Sequence, residues 1–171
     1  YKEKIFDRIY KITENPEDVI ISLLGNNAKF INDRILLEFN KNIRMAIKSN
    51  ALFLQIQRYI EDKQYPCNKF AIIMKICIYV VNELMTGKYF KKYQEKCKEY
   101  DYLKYSAKSI GNILSSYDNS LRDDIDLIEA INEIYLNENY KSLDNIYSSR
   151  ENDVFQSCFY ASDENKINII K

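Results

Sequence analysis

Between Phe70 and Met85 the chain reads FAIIMKICIYVVNELM, apolar around almost the whole circumference of a helix, with polar residues confined to a stripe through Asn68, Lys75 and Asn82. A helix greasy on nearly every side belongs inside a protein, so 68–86 is predicted as the central helix, ended by Gly87. Lys75, Asn82 and Glu83 make the run too short and too polar for a bilayer span, and no membrane partner is expected.

Amphipathic periodicity predicts helices on both sides of it. Ile5, Phe6, Ile9 and Ile12 mark one over 2–14. Asn15-Pro16-Glu17-Asp18 starts a second, because Asn caps free N–H groups, Pro tolerates the first turn and carboxylates suit the positive helix end; Gly25 stops it. A long pattern through Phe30, Ile31, Ile35, Phe39, Ile43 and Ala46 predicts one helix over 27–49, followed by another over 51–63. The segment after Gly87 continues to about 116, with a break near Asp101. Ser120 and Asp123 resemble a capping box before an acidic helix over 121–137, and shorter helices are predicted over 143–149, 154–161 and 163–170. With only 3 Gly and 2 Pro in 171 residues, the expected fold is all-α: an irregular or orthogonal bundle of about seven to nine helices around Phe70–Met85. It forms a single domain over 1–171, with an acidic C-terminal helical subdomain over 118–171.

Charge changes the picture. The formal net charge is zero, yet residues 1–110 hold 20 Lys and Arg against 13 Asp and Glu, a balance of +7, while 111–171 hold 5 against 12, a balance of −7. Such a partition fits an external polyanion on the basic part, or a homodimer in which the acidic face of one copy meets the basic face of another. The basic part peaks in KYFKKYQEKCKEYDYLKYSAK (88–108), where lysines recur at 88, 92, 96, 104 and 108. Like charges one helical turn apart repel by a few tenths of a kcal/mol, so this spacing calls for an anionic partner. Lysines on phosphates and tyrosines on unpaired bases would suit single-stranded RNA with little sequence specificity. The candidate nucleic-acid-binding residues are Lys88, Lys91, Lys92, Tyr93, Lys96, Lys98, Tyr100, Lys104 and Lys108, with Arg34, Lys41, Arg44 and Lys48 as a second strip. The alternative is a protein-interaction module that self-associates or receives a partner helix. A third reading needs no partner: Phe90, Tyr93 and Cys97, with some other tyrosines, form the buried stripe of an amphipathic helix while lysine stems cover its apolar edges.

Catalytic chemistry finds little to use. Histidine is absent, which removes the commonest general base and the usual nucleophile pairs and zinc sites, and no phosphate-binding loop or hydrolase elbow is present. Asp123, Asp124 and Asp126 are spaced as a solvated helix face. No catalytic residue, metal, cofactor or small-molecule substrate is expected, and the protein is read as non-enzymatic. The four cysteines, Cys67, Cys77, Cys97 and Cys158, form no CxxC pair and favour a reducing, cytoplasmic setting.

The heavy use of Lys, Asn, Ile and Tyr resembles proteins of AT-rich genomes. The all-helical pattern is similar to small helical proteins of malaria parasites, such as a gametocyte-stage RNA-binding helical protein or the exported helical domains. The absence of Trp departs from the exported domains. The resemblance implies a helical binding protein and, carrying no motif, assigns no site residue.

Overall fold

A computed structural model of the chain describes residues 15–99 and 109–148. Among them run eight α-helices and no strand: α1 (Pro16–Leu24), α2 (Asp33–Glu38), α3 (Ile43–Asp62), α4 (Phe70–Thr86), α5 (Lys88–Glu99), α6 (Ile110–Tyr117), α7 (Ile125–Asn137) and α8 (141–148). Short 3₁₀ segments, Gly25–Phe30 and Asn119–Asp124, join α1 to α2 and α6 to α7. The helices predicted over 2–14, 154–161 and 163–170, and the break near Asp101, lie outside the described residues.

The central helix forms where its sequence places it. Ile73, Met74 and every residue from Ile76 to Val81 of α4 are buried, and α3 packs against it through Phe53, Ile56 and Ile60. Gly87 closes α4 at φ 62°, and the chain turns by 81° into α5. The polar stripe of α4 is not its solvent side. Lys75 pairs with Asp118 at 2.7 Å, and Asn82 is buried among hydrogen-bond partners, while Asn68 stays exposed in the preceding loop. A polar group on a core helix demands a partner, and these two recruit the elements that carry one.

The predicted helix over 27–49 breaks twice. Asn32 and Asn42 each accept a hydrogen bond from a backbone N–H three residues on, at Ile35 and Met45, and so start α2 and α3 afresh. Between them Asn40 and Lys41 both adopt positive φ, 46° and 60°, and Asn42 N–H closes the turn on the Phe39 carbonyl at 2.8 Å, the hydrogen bond and φ signs of a type I′ turn. The break expected near 50 does not occur. The Asn50 side chain bridges to α1 instead, accepting from Asn27 Nδ2 at 2.8 Å and donating to the Leu23 carbonyl at 3.1 Å, and α3 runs through. The capping box expected at Ser120 gives way to Asp118, whose carboxylate accepts from Ser120 N–H, so that a 3₁₀ turn forms first and α7 begins at Ile125.

Two substitutions test this reading. A β-carbon on Gly111 would stand 2.7 Å from Ile125 Cγ2 and 3.1 Å from the Ile125 carbonyl, so α6 and α7 touch only because that side chain is missing. Gly111→Ala, which in an open helix would stabilise, is expected to cost about 2 kcal/mol by urea denaturation. Lys41→Gly should do the opposite and stabilise by about 1 kcal/mol, since glycine adopts positive φ without penalty. Opposite signs for either would show that the packing or the turn is misread.

Candidate binding face

The lysine-rich helix is held in place from below. The Glu83 carboxylate accepts from the free N–H groups of Tyr89, at 2.7 Å, and Phe90, at 3.2 Å, capping α5 across the Gly87 corner. Tyr89 and Tyr93 then face inward and are buried, with Cys97 half-buried one turn later, so the buried stripe passes through Tyr89 rather than the expected Phe90. The hydroxyl decides it. Tyr89 Oη donates to Glu38 Oε2 at 2.7 Å and accepts from Asn82 Nδ2 at 3.0 Å, contacts phenylalanine cannot make. Phe90 is left 45 % exposed.

Glu38 organises the whole site. Only 7 % exposed, its carboxylate receives Tyr89 and Lys88 Nζ on Oε2 and the Tyr117 hydroxyl on Oε1 at 2.8 Å, and its backbone carbonyl accepts from Asn82. Four helices, α2, α4, α5 and α6, therefore meet at one buried carboxylate. Burial by itself would raise the Glu38 pKa, but the hydrogen bonds from Lys88, Tyr89 and Tyr117 and the charge of Lys88 outweigh it and hold it below the ordinary 4.5. The same carboxylate and burial push Tyr117 up to about 12 and raise Tyr89 further. Nearby, burial raises and then Lys75, Ser120 and Tyr79 more than reverse the pKa of Asp118, leaving it well below the carboxylate range.

The lysines of α5 divide accordingly. Lys88 turns inward to Glu38 and so is not free for an external phosphate, and Tyr93 is buried and has no open face for a base; both depart from the expected nucleic-acid-binding roles. Lys91, Lys92, Lys96 and Lys98 are exposed and, among the described residues, none has a carboxylate within 4 Å. Lys92 Nζ sits 4.9 Å from the centre of the Tyr117 ring, and Lys96 donates to the Ser116 carbonyl at 3.0 Å, which lays both side chains across the end of α6. Arg34, exposed on α2, acts electrostatically on the same Tyr117 phenol. The structure thus brings Lys88 and Lys92 together at the Tyr117 ring. Lys41 and Arg44 are exposed and Lys48 half-buried near the start of α3. Tyr100, Lys104 and Lys108 lie outside the described residues.

Glu38, Asn82 and Tyr117 escaped the sequence reading, although one signal was available: Asn82 on an otherwise apolar helix announces a buried partner. No three His, Cys, Asp or Glu side chains come together as metal ligands among the described residues, Asp124 being spent on Lys69. Burial raises the Cys77 thiol far above its ordinary range, leaving it inert. Among the described residues, no single helix is long and apolar enough to cross a membrane.

A carboxyl whose folded pKa is depressed stabilises fully above its unfolded value and loses that contribution as pH falls through the folded one. The unfolding free energy should therefore drop below about pH 4.5, partly through Glu38. Glu38→Gln should lose about 2 kcal/mol at neutral pH and show a shallower acid limb in pH-dependent urea melts. Equal acid slopes in the two proteins would remove Glu38 from its organising role. Comparison of the chain with protein-family models, curated proteins and solved structures finds no match to any of them.

Proposed function

We propose that the protein is a non-enzymatic binding module whose α5 face engages an acidic protein surface. The observation that carries this reading is the division of α5: four exposed lysines without carboxylate partners among the described residues, and an exposed phenyl ring at Phe90, on a helix whose tyrosines face the core. Lysine offers a strongly hydrated point charge, suited to loose contacts with carboxylates, and Phe90 adds an apolar contact that a nucleic-acid backbone would leave unused. Single-stranded RNA would draw on stacked rings, and the inward tyrosines of α5 leave that term unsupported. Arg34 and Lys92 at Tyr117 extend the cationic surface onto α2 and α6.

Fluorescence anisotropy with labelled polyglutamate and labelled oligouridylate, at low and moderate salt, tests the proposal. Polyglutamate should bind, weaken as salt rises, and lose at least about tenfold in affinity with Lys91→Glu and Lys96→Glu together. Tighter binding of oligouridylate, or polyglutamate binding indifferent to both salt and the double substitution, would overturn it.

A further inference from the structure

The long helix α3 carries a second stripe. Its inner face, with Met45, Leu52, Phe53, Ile56 and Ile60, is buried in the core, whereas Arg44, Ile47, Ala51, Leu54, Arg58 and Glu61 follow one another on the outer side at alternating steps of three and four. That spacing keeps side chains in one line along a helix and is the spacing of a seam between two helices. Arg44, Ala51, Arg58 and Glu61 are exposed, Ile47 is 51 % exposed and Leu54 is half-buried. Beside Ala51 and Leu54 the surface falls into a groove of about 510 Å³ bounded by Arg58, Tyr59 and Tyr140, so the described chain leaves this length of the stripe uncovered.

The charges at its ends oppose the helix that bears them. α3 has a cation, Arg44, in its first turn and two carboxylates, Glu61 and Asp62, in its last, where the helix dipole favours the reverse. Neither end is neutralised nearby: among the described residues Arg44, Arg58, Glu61 and Asp62 form no ion pair. Glu61 accepts from the uncharged Gln57, at 2.8 Å.

From this charge arrangement and the apolar centre between its ends we infer that two copies of the chain dimerise through α3, the two helices running antiparallel about a two-fold axis. In that pairing position 44 of one copy faces 61 of the other, 47 faces 58, and 51 faces 54. Arg44 then meets the partner's Glu61, with Asp62 beside it, and the two-fold axis makes the contact twice. Each Arg44 also reaches the negative end of the partner's helix, so a charge that opposes its own dipole satisfies the neighbouring one. Ile47 packs against the stem of Arg58, and the small Ala51 lets the backbones approach with Leu54 in the gap. A parallel pair would set Arg44 against Arg44 and Glu61 against Glu61, and is opposed by repulsion at both ends. The inference uses no residue of α5 and stands independently of the acidic partner proposed for that helix.

Sedimentation velocity on the full chain over a concentration series tests it. A seam one helix long lies at the small end of protein interfaces, so the dimer is expected at about 10 to 100 μM. Ile47→Asp should leave a monomer at the same concentrations, while Leu37→Asp, at a 70 % exposed site on α2, should leave the dimer intact. Arg44→Glu and Glu61→Arg should each weaken association at least about tenfold. Both place a charge where the α3 dipole favours it, so folding should survive, which thermal melts by circular dichroism check. Mixing the two single variants should restore a 1:1 heterodimer, and Arg44→Glu with Glu61→Arg in one chain should dimerise with itself. Within one copy the two positions stand about 26 Å apart along the helix, so the rescue can pass only between copies. A monomer at every concentration would hand the stripe to a foreign helix and overturn the inference. So would a dimer that survives Ile47→Asp, or single variants that fail to rescue each other.

Discussion

One carboxylate buried where four helices meet sets the terms for the rest of the molecule. Taking an ionised group out of water costs several kcal/mol, and removing any single partner would leave the remainder of that cost uncompensated. Glu38 is matched by an ammonium and two phenols, with Asn82 tying its backbone to α4, so its burial is tolerable only in the geometry that brings α2, α4, α5 and α6 together at once. The apolar core makes the chain compact, since Leu, Ile and Phe pack in many arrangements; this polar cluster selects one of them. The placement of α5 follows. With Tyr89 and Lys88 drawn inward, the remaining lysines have only the outer side of the helix to occupy.

The fold was legible in the sequence where the signal was local. The apolar run of α4, the glycine stops at 25 and 87, both at positive φ, and the Asn-Pro start of α1 stand as read. What misled was the persistence of apolar spacing across Asn32 and Asn42. Each asparagine side chain captures a backbone N–H and restarts the helix with a new phase, so residues that share a stripe on paper over 27–49 belong to three separate segments. The burial of Glu38 depends on partners 44 to 79 positions away, information that no local window holds.

The candidate face was half legible. Lysine spacing pointed to α5, and the exposed Lys91, Lys92, Lys96 and Lys98 keep that expectation alive. The tyrosines could not be assigned from periodicity, because a phenol is both a hydrophobe and a hydrogen-bond donor, and the second property decided the register. The charge partition along the chain is likewise resolved partly within the fold. Two of the three ion pairs among the described residues, Lys69–Asp124 and Lys75–Asp118, join the basic region to the acidic one and fasten the α6–α7 connection to α4. Among the exposed cations left over are Lys91, Lys92, Lys96 and Lys98 of α5 and Lys41 and Arg44 near the start of α3.

The phenols that hold this cluster together also bound the conditions under which it survives. Tyr59 donates to Asp144, Tyr79 to Asp118, and Tyr89 and Tyr117 to Glu38, so burial and an adjoining negative charge raise all four above the ordinary 10. A raised pKa stabilises below the unfolded value and is progressively forfeited above it. At Glu38 and Asp118 hydroxide thus attacks the junctions that acid reaches from the opposite side: the proton each phenol shares with its carboxylate is the bolt, and stripping it sets two anions face to face.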